Sequence, residues 1–170
     1  MDNDKTHIDD LKPRFRQRYG GMECRVYLVR ENPSRKPIDI HGPDDIFYLV
    51  RNEMGNLDRE ILLSVMLNGQ NSIIGVEIVS LGQLNSCSVS LREVFKSAIL
   101  ASASAIVLCH NHTSGTLDPS KEDLNLTENL IQAGKLLGII IHDHLIISDS
   151  GYKSIINQTN IKRKETNHVF

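Results

Sequence analysis

The chain has 170 residues, enough for one domain with a substantial hydrophobic core. Its hydrophobic fraction of 40% and charged fraction of 24% are ordinary for a soluble protein, and a net charge of −2 gives no electrostatic signature for nucleic acid or an anionic membrane. No apolar run is long enough for a membrane span, and the acidic start is not typical of a signal peptide. The cysteines Cys24, Cys87 and Cys109 form no CxxC pair and favour buried thiols in a reducing compartment, so we expect a cytoplasmic protein.

Three regions differ in composition along the chain. Residues 1–20 are polar and lack periodicity, so we predict a flexible N-terminal arm, then one domain over residues 21–157 and a flexible tail over residues 158–170. Basic residues cluster in the arm and in the tail, where a solvated terminus is a commoner explanation than a binding surface. The basic residues of the arm include Arg14, Arg16 and Arg18.

Strands and helices alternate along the predicted domain. Strand-like patterns cover residues 24–29, 61–67, 73–79, 105–110 and 138–147. Apolar residues recur at helical spacing over residues 46–54, 91–99 and 126–137. Asn68-Gly69 predicts a hairpin between the second and third strands, and Ser90 with Glu93 predicts a capping box. This order predicts an α/β sandwich of two or three layers around a mixed sheet.

The most informative stretch follows the apolar strand that ends at Cys109. Side chains alternate along an extended chain, so His110 and His112 point to the same face. They stand at a strand end, where the active sites of open α/β sheets lie. A turn-rich segment then leads into a helix whose first turn carries Asp123. Two imidazoles and a returning carboxylate can hold Zn²⁺ with one position left for water, which is typical of a catalytic rather than a structural zinc.

Ten residues separate His112 from Asp123, and Ser120 precedes this carboxylate by three. This combination is similar to the JAMM (MPN-plus) metallopeptidase motif. Over roughly residues 40–157 the chain also resembles the RadC family within that group, in segments such as Asp-Arg-Glu before a buried strand, Arg-Glu-Val-Phe-Lys in the middle helix, Pro-Ser-x-Glu-Asp and Asp-His-Leu-Ile-Ile. The resemblance implies a JAMM/MPN-like (cytidine-deaminase-like) sandwich, with a mixed β-sheet flanked by helices.

The resemblance also implies a role for each residue of the motif. His110, His112 and Asp123 would bind Zn²⁺ as the cofactor. Glu60 would act as the general acid and base, and Ser120 would help to hold the tetrahedral oxyanion. The implied activity is that of a zinc hydrolase that cleaves a peptide or isopeptide-type amide. Neither the identity of the substrate nor the oligomeric state follows from the sequence.

Several of these polar residues also have structural interpretations. Ser120 and Asp118 can cap the helix that follows them. A second pair, His142-x-His144, lies mid-strand without a third ligand at a matching distance. We expect it to be structural or to support a ligand, with Asp143 orienting a ligand imidazole. The acid inside the strand over residues 73–79, Glu77, is expected to face outward.

Two departures from the family pattern matter. Thr113 stands where a proline usually follows the second histidine, which removes no ligand, so we expect activity to survive. Full-length RadC-type proteins carry an N-terminal helix-hairpin-helix region, which we do not expect in this chain. That departure, like the charge balance, weakens a DNA-linked interpretation.

Two further functions stay open beside the hydrolase. The first is a non-catalytic MPN scaffold, although such proteins typically lose the ligands that this chain keeps. The second is a RadC-type accessory protein in DNA repair or mobile-element biology that binds nucleic acid through the basic arm. The tripeptide His-Asn-His does not indicate an HNH nuclease, because that site spreads its residues across a hairpin and a helix.

Overall fold

The computed structural model describes residues 38–55, 57–82 and 89–158. The helices of this part are α1 (Pro43–Met54), α2 (Leu91–Leu100), α3 (Lys121–Leu137) and α4 (Ile155–Gln158). The strands are β1 (Ile61–Leu67), β2 (Ile73–Leu81), β3 (Ala105–Asn111), β4 (Ile140–Ser148) and β5 (Gly151–Ser154). None of these helices is both long and apolar enough to cross a membrane. The predicted arm, the predicted strand over residues 24–29 and the tail beyond residue 158 lie outside the described residues.

The strands form one mixed sheet in the order β2-β1-β3-β4-β5. β1 pairs antiparallel with β2 and with β3, and β4 pairs antiparallel with β5. β3 and β4 are parallel, and helix α3 supplies the crossover that a parallel pair requires. The central strand β3 is buried along its whole length, which agrees with its continuous apolar sequence.

Helices cover both faces of the sheet, so the sandwich has three layers. Helix α1 packs Ile46, Phe47 and Val50 into one apolar cluster with alternate residues of β1, β3 and β4. On the other face, α2 and α3 pack against the remaining residues of β1 and β3, and Leu130 of α3 is fully buried. The predicted α/β sandwich with a mixed sheet flanked by helices is therefore confirmed.

The predicted hairpin between β1 and β2 is present, but its turn is longer than a two-residue Asn-Gly turn. The chain reverses over residues 68–72, where the Asn68 side chain accepts hydrogen bonds from the backbone N–H groups of Gln70 at 2.9 Å and Ser72 at 3.0 Å. Asn71, rather than Gly69, adopts the left-handed conformation, with φ of 59°. Asparagine adopts this conformation more readily than most residues, and here the Asn71 side-chain oxygen lies 3.1 Å from His142 Nε2 of β4.

The capping box predicted at Ser90 and Glu93 is wrong. Ser90 does occupy the N-cap of α2, but its side chain makes no capping hydrogen bond. The Glu93 carboxylate instead pairs with Lys96, three residues further along the same helix. An i,i+3 ion pair competes for the same carboxylate, so the sequence pattern alone does not decide between the two arrangements.

Strand β4 contains a bulge that changes which side chains face the site. Ile106 of β3 is opposite Ile141, whereas the next residue, Val107, is opposite Asp143. His142 is therefore an extra residue on β4, and the face of every later side chain is inverted relative to a regular strand. His144 consequently lies opposite Leu108, on the face that α3 covers, while Asp143 lies on the α1 face.

Cys109 confirms the expectation of a buried thiol. It lies within β3, is free, and is fully enclosed in the α1-side cluster. Burial raises the pKa of this thiol far above its ordinary value, with a smaller contribution from the neighbouring Asp143 carboxylate. Cys24 and Cys87 lie outside the described residues.

Candidate metal centre

The candidate site lies where β3 leaves the sheet. His110 is the penultimate residue of β3, and His112 follows one residue after the strand ends. Asp123 is the third residue of α3, whose N-terminus returns to the end of β3. His110 and Asp123 are buried, with 0% and 5% exposure, and the His112 side chain is 13% exposed. The structure thus brings the three predicted ligands together at a position with access to solvent on one side.

The spacing of the three side chains fits a tetrahedral metal ion. The Nε2 atoms of His110 and His112 are 3.1 Å apart, and His110 Nε2 lies 3.3 Å from Asp123 Oδ1, whereas His112 Nε2 lies 3.3 Å from Asp123 Oδ2. Ligand atoms at about 2.0–2.1 Å from a tetrahedral zinc lie roughly 3.3–3.4 Å from one another. Among the described residues, these three form the cluster of His, Cys, Asp or Glu able to hold a metal ion, and their ligand atoms lie within 4.8 Å of one another.

Ser120 holds Asp123 in a fixed orientation. The Asp123 Oδ2 atom accepts hydrogen bonds from the Ser120 hydroxyl at 2.6 Å and the Ser120 backbone N–H at 2.8 Å. The Asp123 backbone N–H donates to the Ser120 hydroxyl at 3.1 Å, which completes a capping box at the start of α3. Oδ2 is therefore engaged, and Oδ1 is the oxygen left facing His110. The capping role expected for Ser120 is present, and its hydroxyl proton is directed at Asp123.

Hydrogen bonds and burial set the ionisation of the carboxylate and the outer histidine. Burial opposes ionisation of Asp123, but the adjacent imidazoles of His110 and His112 and the hydrogen bond from Ser120 outweigh it and hold the pKa of this carboxyl far below its ordinary value. The hydrogen bond with Asp123 also raises the pKa of His112, with smaller contributions from the Thr116 carbonyl and the charge of Glu60. Asp123 is thus an anion at any physiological pH, as a metal ligand must be.

The loop after β3 orients the ring of His112. Its Nδ1 atom lies 2.9 Å from the Thr116 carbonyl oxygen, which can only accept a hydrogen bond. Gly115 makes this reversal possible with φ of 71°, and its N–H donates to the His112 carbonyl at 2.9 Å. When the ring is neutral, Nδ1 carries its proton, and Nε2 then offers a lone pair to a metal ion between Asp123 and His110.

His144 and Thr127 lie behind His110. The His144 Nε2 atom is 2.9 Å from His110 Nδ1, and its Nδ1 atom is 2.7 Å from the Thr127 hydroxyl. The prediction that Asp143 orients a ligand imidazole is wrong, because the β4 bulge turns Asp143 away. Its carboxylate instead accepts from the Ser154 hydroxyl and the His144 backbone N–H, both at 2.8 Å. Burial holds the pKa of His144 well below its ordinary value, with a smaller contribution from His110.

Glu60 is placed beside the site by Asn111, the residue between the two histidines. The Asn111 side-chain oxygen accepts from the Ile61 N–H at 2.9 Å, and its NH₂ group donates to the Arg59 carbonyl at 3.0 Å. These two bonds bracket Glu60 along the backbone. Glu60 is half-buried, and its negative charge makes a small contribution to the raised pKa of His112.

Two other acids have roles different from those expected. Asp118 does not cap α3; it forms an exposed ion pair with Lys153 of β5, which ties the loop after His112 to the far edge of the sheet. Glu77 does not face solvent. It is half-buried and accepts a hydrogen bond from the Ser97 hydroxyl of α2. Neither residue belongs to the ligand cluster.

Comparison with known proteins identifies the family. The chain matches a family described as the RadC-like JAB domain over residues 40–161. It is 42% identical over 138 residues to a UPF0758 protein of Methanosarcina mazei, a match that covers 81% of this chain and 59% of the relative. A UPF0758 protein of Desulfitobacterium hafniense is 44% identical over 134 residues, with 79% and 59% covered. One of Alkaliphilus oremlandii is 47% identical over 116 residues, with 68% and 50% covered.

The mixed sheet flanked by helices and the His-His-Asp cluster at the end of β3 define an α/β protein with a candidate JAMM-type metal centre. The chain belongs to the RadC-like JAB domain family, which confirms the resemblance seen in its sequence. It spans between half and three fifths of the length of the relatives described above.

Proposed function

We propose that this chain is a zinc-dependent hydrolase that cleaves a peptide or isopeptide-type amide bond. The observation that carries the proposal is the convergence of His110 Nε2, His112 Nε2 and the Asp123 carboxylate, which places a different oxygen 3.3 Å from each imidazole nitrogen, with the two nitrogens 3.1 Å apart. Three such ligands can hold zinc with one position free. From the cysteine pattern we also propose a cytoplasmic location. The identity of the substrate and any nucleic-acid contact of the arm at Arg14, Arg16 and Arg18 stay predictions.

The family motif and the position of Glu60 suggest how the residues divide the work. Zinc bound at this position would lower the pKa of its water to about 7 and polarise the scissile carbonyl. We propose that the Glu60 carboxylate removes a proton from the attacking water and returns it to the amine nitrogen as the C–N bond breaks. A well-placed hydroxyl donor at the oxyanion is worth about 3 kcal/mol. For Ser120 to serve there as well, its proton would have to turn away from Asp123.

The first test is the metal content of the purified protein. Wild type reconstituted with zinc should hold about one zinc per chain, and His112→Ala and Asp123→Ala should lose it, because each removes one of only three protein ligands. Glu60→Gln is the matched variant, since it should keep the metal while hydrolysis of an amide substrate falls by at least about a hundredfold.

Three outcomes would count against the proposal. Wild type that binds no zinc after reconstitution would favour the non-catalytic scaffold. Zinc retained in both ligand variants would place the metal elsewhere. A Glu60→Gln variant that hydrolyses amides at the wild-type rate would remove Glu60 from the proposed mechanism.

A further inference from the structure

We propose that Thr127 and His144 form a hydrogen-bond relay that fixes His110 as the tautomer with a bare Nε2 atom and so sets the metal affinity of the site. The inference rests on the metal site of the proposed function but requires no hydrolytic activity. Thr127, His144 and His110 are each 0% exposed, so no water competes for their hydrogen bonds. The relay therefore has one arrangement of protons, which the distances define.

The Thr127 hydroxyl determines the first step. Its oxygen lies 2.6 Å from the Asp123 carbonyl oxygen and 2.7 Å from His144 Nδ1. A hydroxyl has one proton, and a carbonyl can only accept, so at 2.6 Å the proton must lie between the two oxygens. If Thr127 donated to His144 instead, two lone pairs would face each other at that distance. Thr127 consequently accepts from His144, and His144 carries its proton on Nδ1.

In the second step, the proton position on His144 determines the proton position on His110, the proposed metal ligand. In a neutral imidazole protonated at Nδ1, the Nε2 atom is an acceptor. His144 Nε2 lies 2.9 Å from His110 Nδ1, so His110 must donate and carries its own proton on Nδ1. The Nε2 atom of His110 then carries no proton and can bind a metal ion, and it lies 3.3 Å from Asp123 Oδ1 and 3.1 Å from His112 Nε2.

The relay also connects two ligands that arise from different elements. It begins at the backbone carbonyl of Asp123 on α3 and ends at the ring of His110 on β3. The ring that binds metal is thus oriented by the helix that supplies the third ligand. Hydrogen bonds of this kind to ligand histidines typically change metal affinity by 10–100-fold when they are removed.

The tautomers can be observed directly in metal-free wild type. In ¹H–¹⁵N long-range correlation spectra of histidine-labelled protein, assigned with variants that each lack one histidine, His144 and His110 should each carry a proton on Nδ1. A spectrum with the His144 proton on Nε2, or with no proton on His110 Nδ1, would overturn the proposal.

Metal affinity gives the second readout. Thr127→Val is isosteric but removes the hydroxyl, and it should weaken zinc binding by 10–100-fold in competition with a chelator. Thr127→Ser keeps the hydroxyl and should restore affinity to near the wild-type value. Ser72→Ala is the matched control, because it removes a hydroxyl that is 6% exposed and bonded to Asp39 at the opposite end of β1 from Glu60, and it should leave zinc affinity unchanged.

Two results would contradict the relay. Thr127→Val with wild-type zinc affinity would show that the hydroxyl is not needed, and Thr127→Ser as weak as Thr127→Val would show that packing rather than hydrogen bonding matters. Urea unfolding of each metal-free variant separates loss of affinity from loss of fold. These measurements need no substrate. The relay can therefore fail while the protein still hydrolyses amides, and hydrolysis can be absent while the relay is intact, so the two proposals are tested separately.

Discussion

Asn111 differs in its task from the two histidines beside it. The side chains of His110 and His112 face the candidate metal position. The Asn111 amide instead bonds the backbone on both sides of Glu60: it accepts from the Ile61 N–H and donates to the Arg59 carbonyl. It is 2% exposed, so both of its polar atoms need these partners. The proposed general base therefore owes its position to a residue of the strand that delivers the ligands.

Replacement of Asn111 by Asp should separate metal binding from turnover. In the variant, one carboxylate oxygen can still accept from the Ile61 N–H, but the other oxygen faces the Arg59 carbonyl oxygen with no proton between them. We therefore expect the free energy of unfolding to fall by about 1–3 kcal/mol. Zinc stoichiometry should stay at about one, while kcat for an amide substrate should fall about tenfold or more as Glu60 shifts. Urea unfolding, metal analysis and steady-state kinetics measure the three effects.

The same substitution at an exposed site provides the control. Asn129→Asp adds the same charge to the solvent face of α3 and should change stability by no more than about 0.5 kcal/mol. Wild-type kcat in Asn111→Asp would show that the amide does not position Glu60.

At the residue scale, the sequence identifies the three candidate metal ligands but not most of the residues that contact them. His110, His112 and Asp123 follow one another on the chain with a spacing that strand and helix geometry can interpret. Thr127 follows Asp123 by four residues on the same helix, and this i,i+4 spacing predicts that the two residues are neighbours. His144 and Asn111 act across strand pairs, and no local pattern reports which strands become neighbours.

At the scale of secondary structure, α2 and α3 offer a natural comparison, because both begin at a serine N-cap. Only Ser120 uses its side chain to cap the helix. We expect Ser120→Ala to lower the free energy of unfolding of the metal-free protein by about 1 kcal/mol. Ser90→Ala should cost no more than a few tenths of that, at about 0.3 kcal/mol or less. Urea unfolding of the two variants side by side measures the difference.

Equal costs for the two serine variants would contradict this account of the caps. Ser120→Ala should also weaken zinc binding, because Asp123 Oδ2 loses a hydrogen bond that fixes the carboxylate. Ser90→Ala should leave zinc affinity at the wild-type value, since α2 supplies no ligand.

The elements themselves are largely predictable. The strands over residues 61–67 and 105–110 agree with the structure to within one residue, and the helix predicted over residues 46–54 ends where α1 ends but begins three residues later, because buried strands and amphipathic helices leave strong apolar patterns. The β4 bulge could not be predicted. Every residue from Ile141 to Ser148 is buried, so the sequence of β4 shows no alternation of polar and apolar residues. Without that alternation, the sequence does not show where the bulge switches side chains from one face of the sheet to the other.

At the scale of the whole molecule, the Tyr152 hydroxyl joins the last strand to the first described helix. It donates to Asp44 Oδ1 at 2.7 Å, across 108 residues of sequence. This hydrogen bond, with a smaller contribution from burial, raises the pKa of Tyr152 to about 12. The free-tyrosine value is about 10, so the folded state holds the proton more tightly than the unfolded state.

The sign of the pH dependence follows from this difference. A pKa raised on folding stabilises the protein fully below about pH 10, and the stabilisation is lost as the pH rises toward 12. Wild type should exceed Tyr152→Phe in unfolding free energy by at most about 1 kcal/mol at pH 9, because the bond is exposed, and the gap should close at about pH 12. Tyr48→Phe, which removes an exposed hydroxyl from α1, should follow wild type throughout. A constant gap between wild type and Tyr152→Phe would contradict the assignment.

The arrangement of the site along the chain has a consequence for the order in which its parts assemble. His112 and Asp123 are only 11 residues apart, whereas the contact that places Glu60, between Asn111 and Arg59, spans 52 residues. Closing the longer loop costs about 1 kcal/mol more in chain entropy, and contacts of long range form late in folding. We expect His112 and Asp123 to come together during folding before β1 pairs with β3. The proposed general base, Glu60, would then reach its position after the candidate metal ligands His112 and Asp123 have come together.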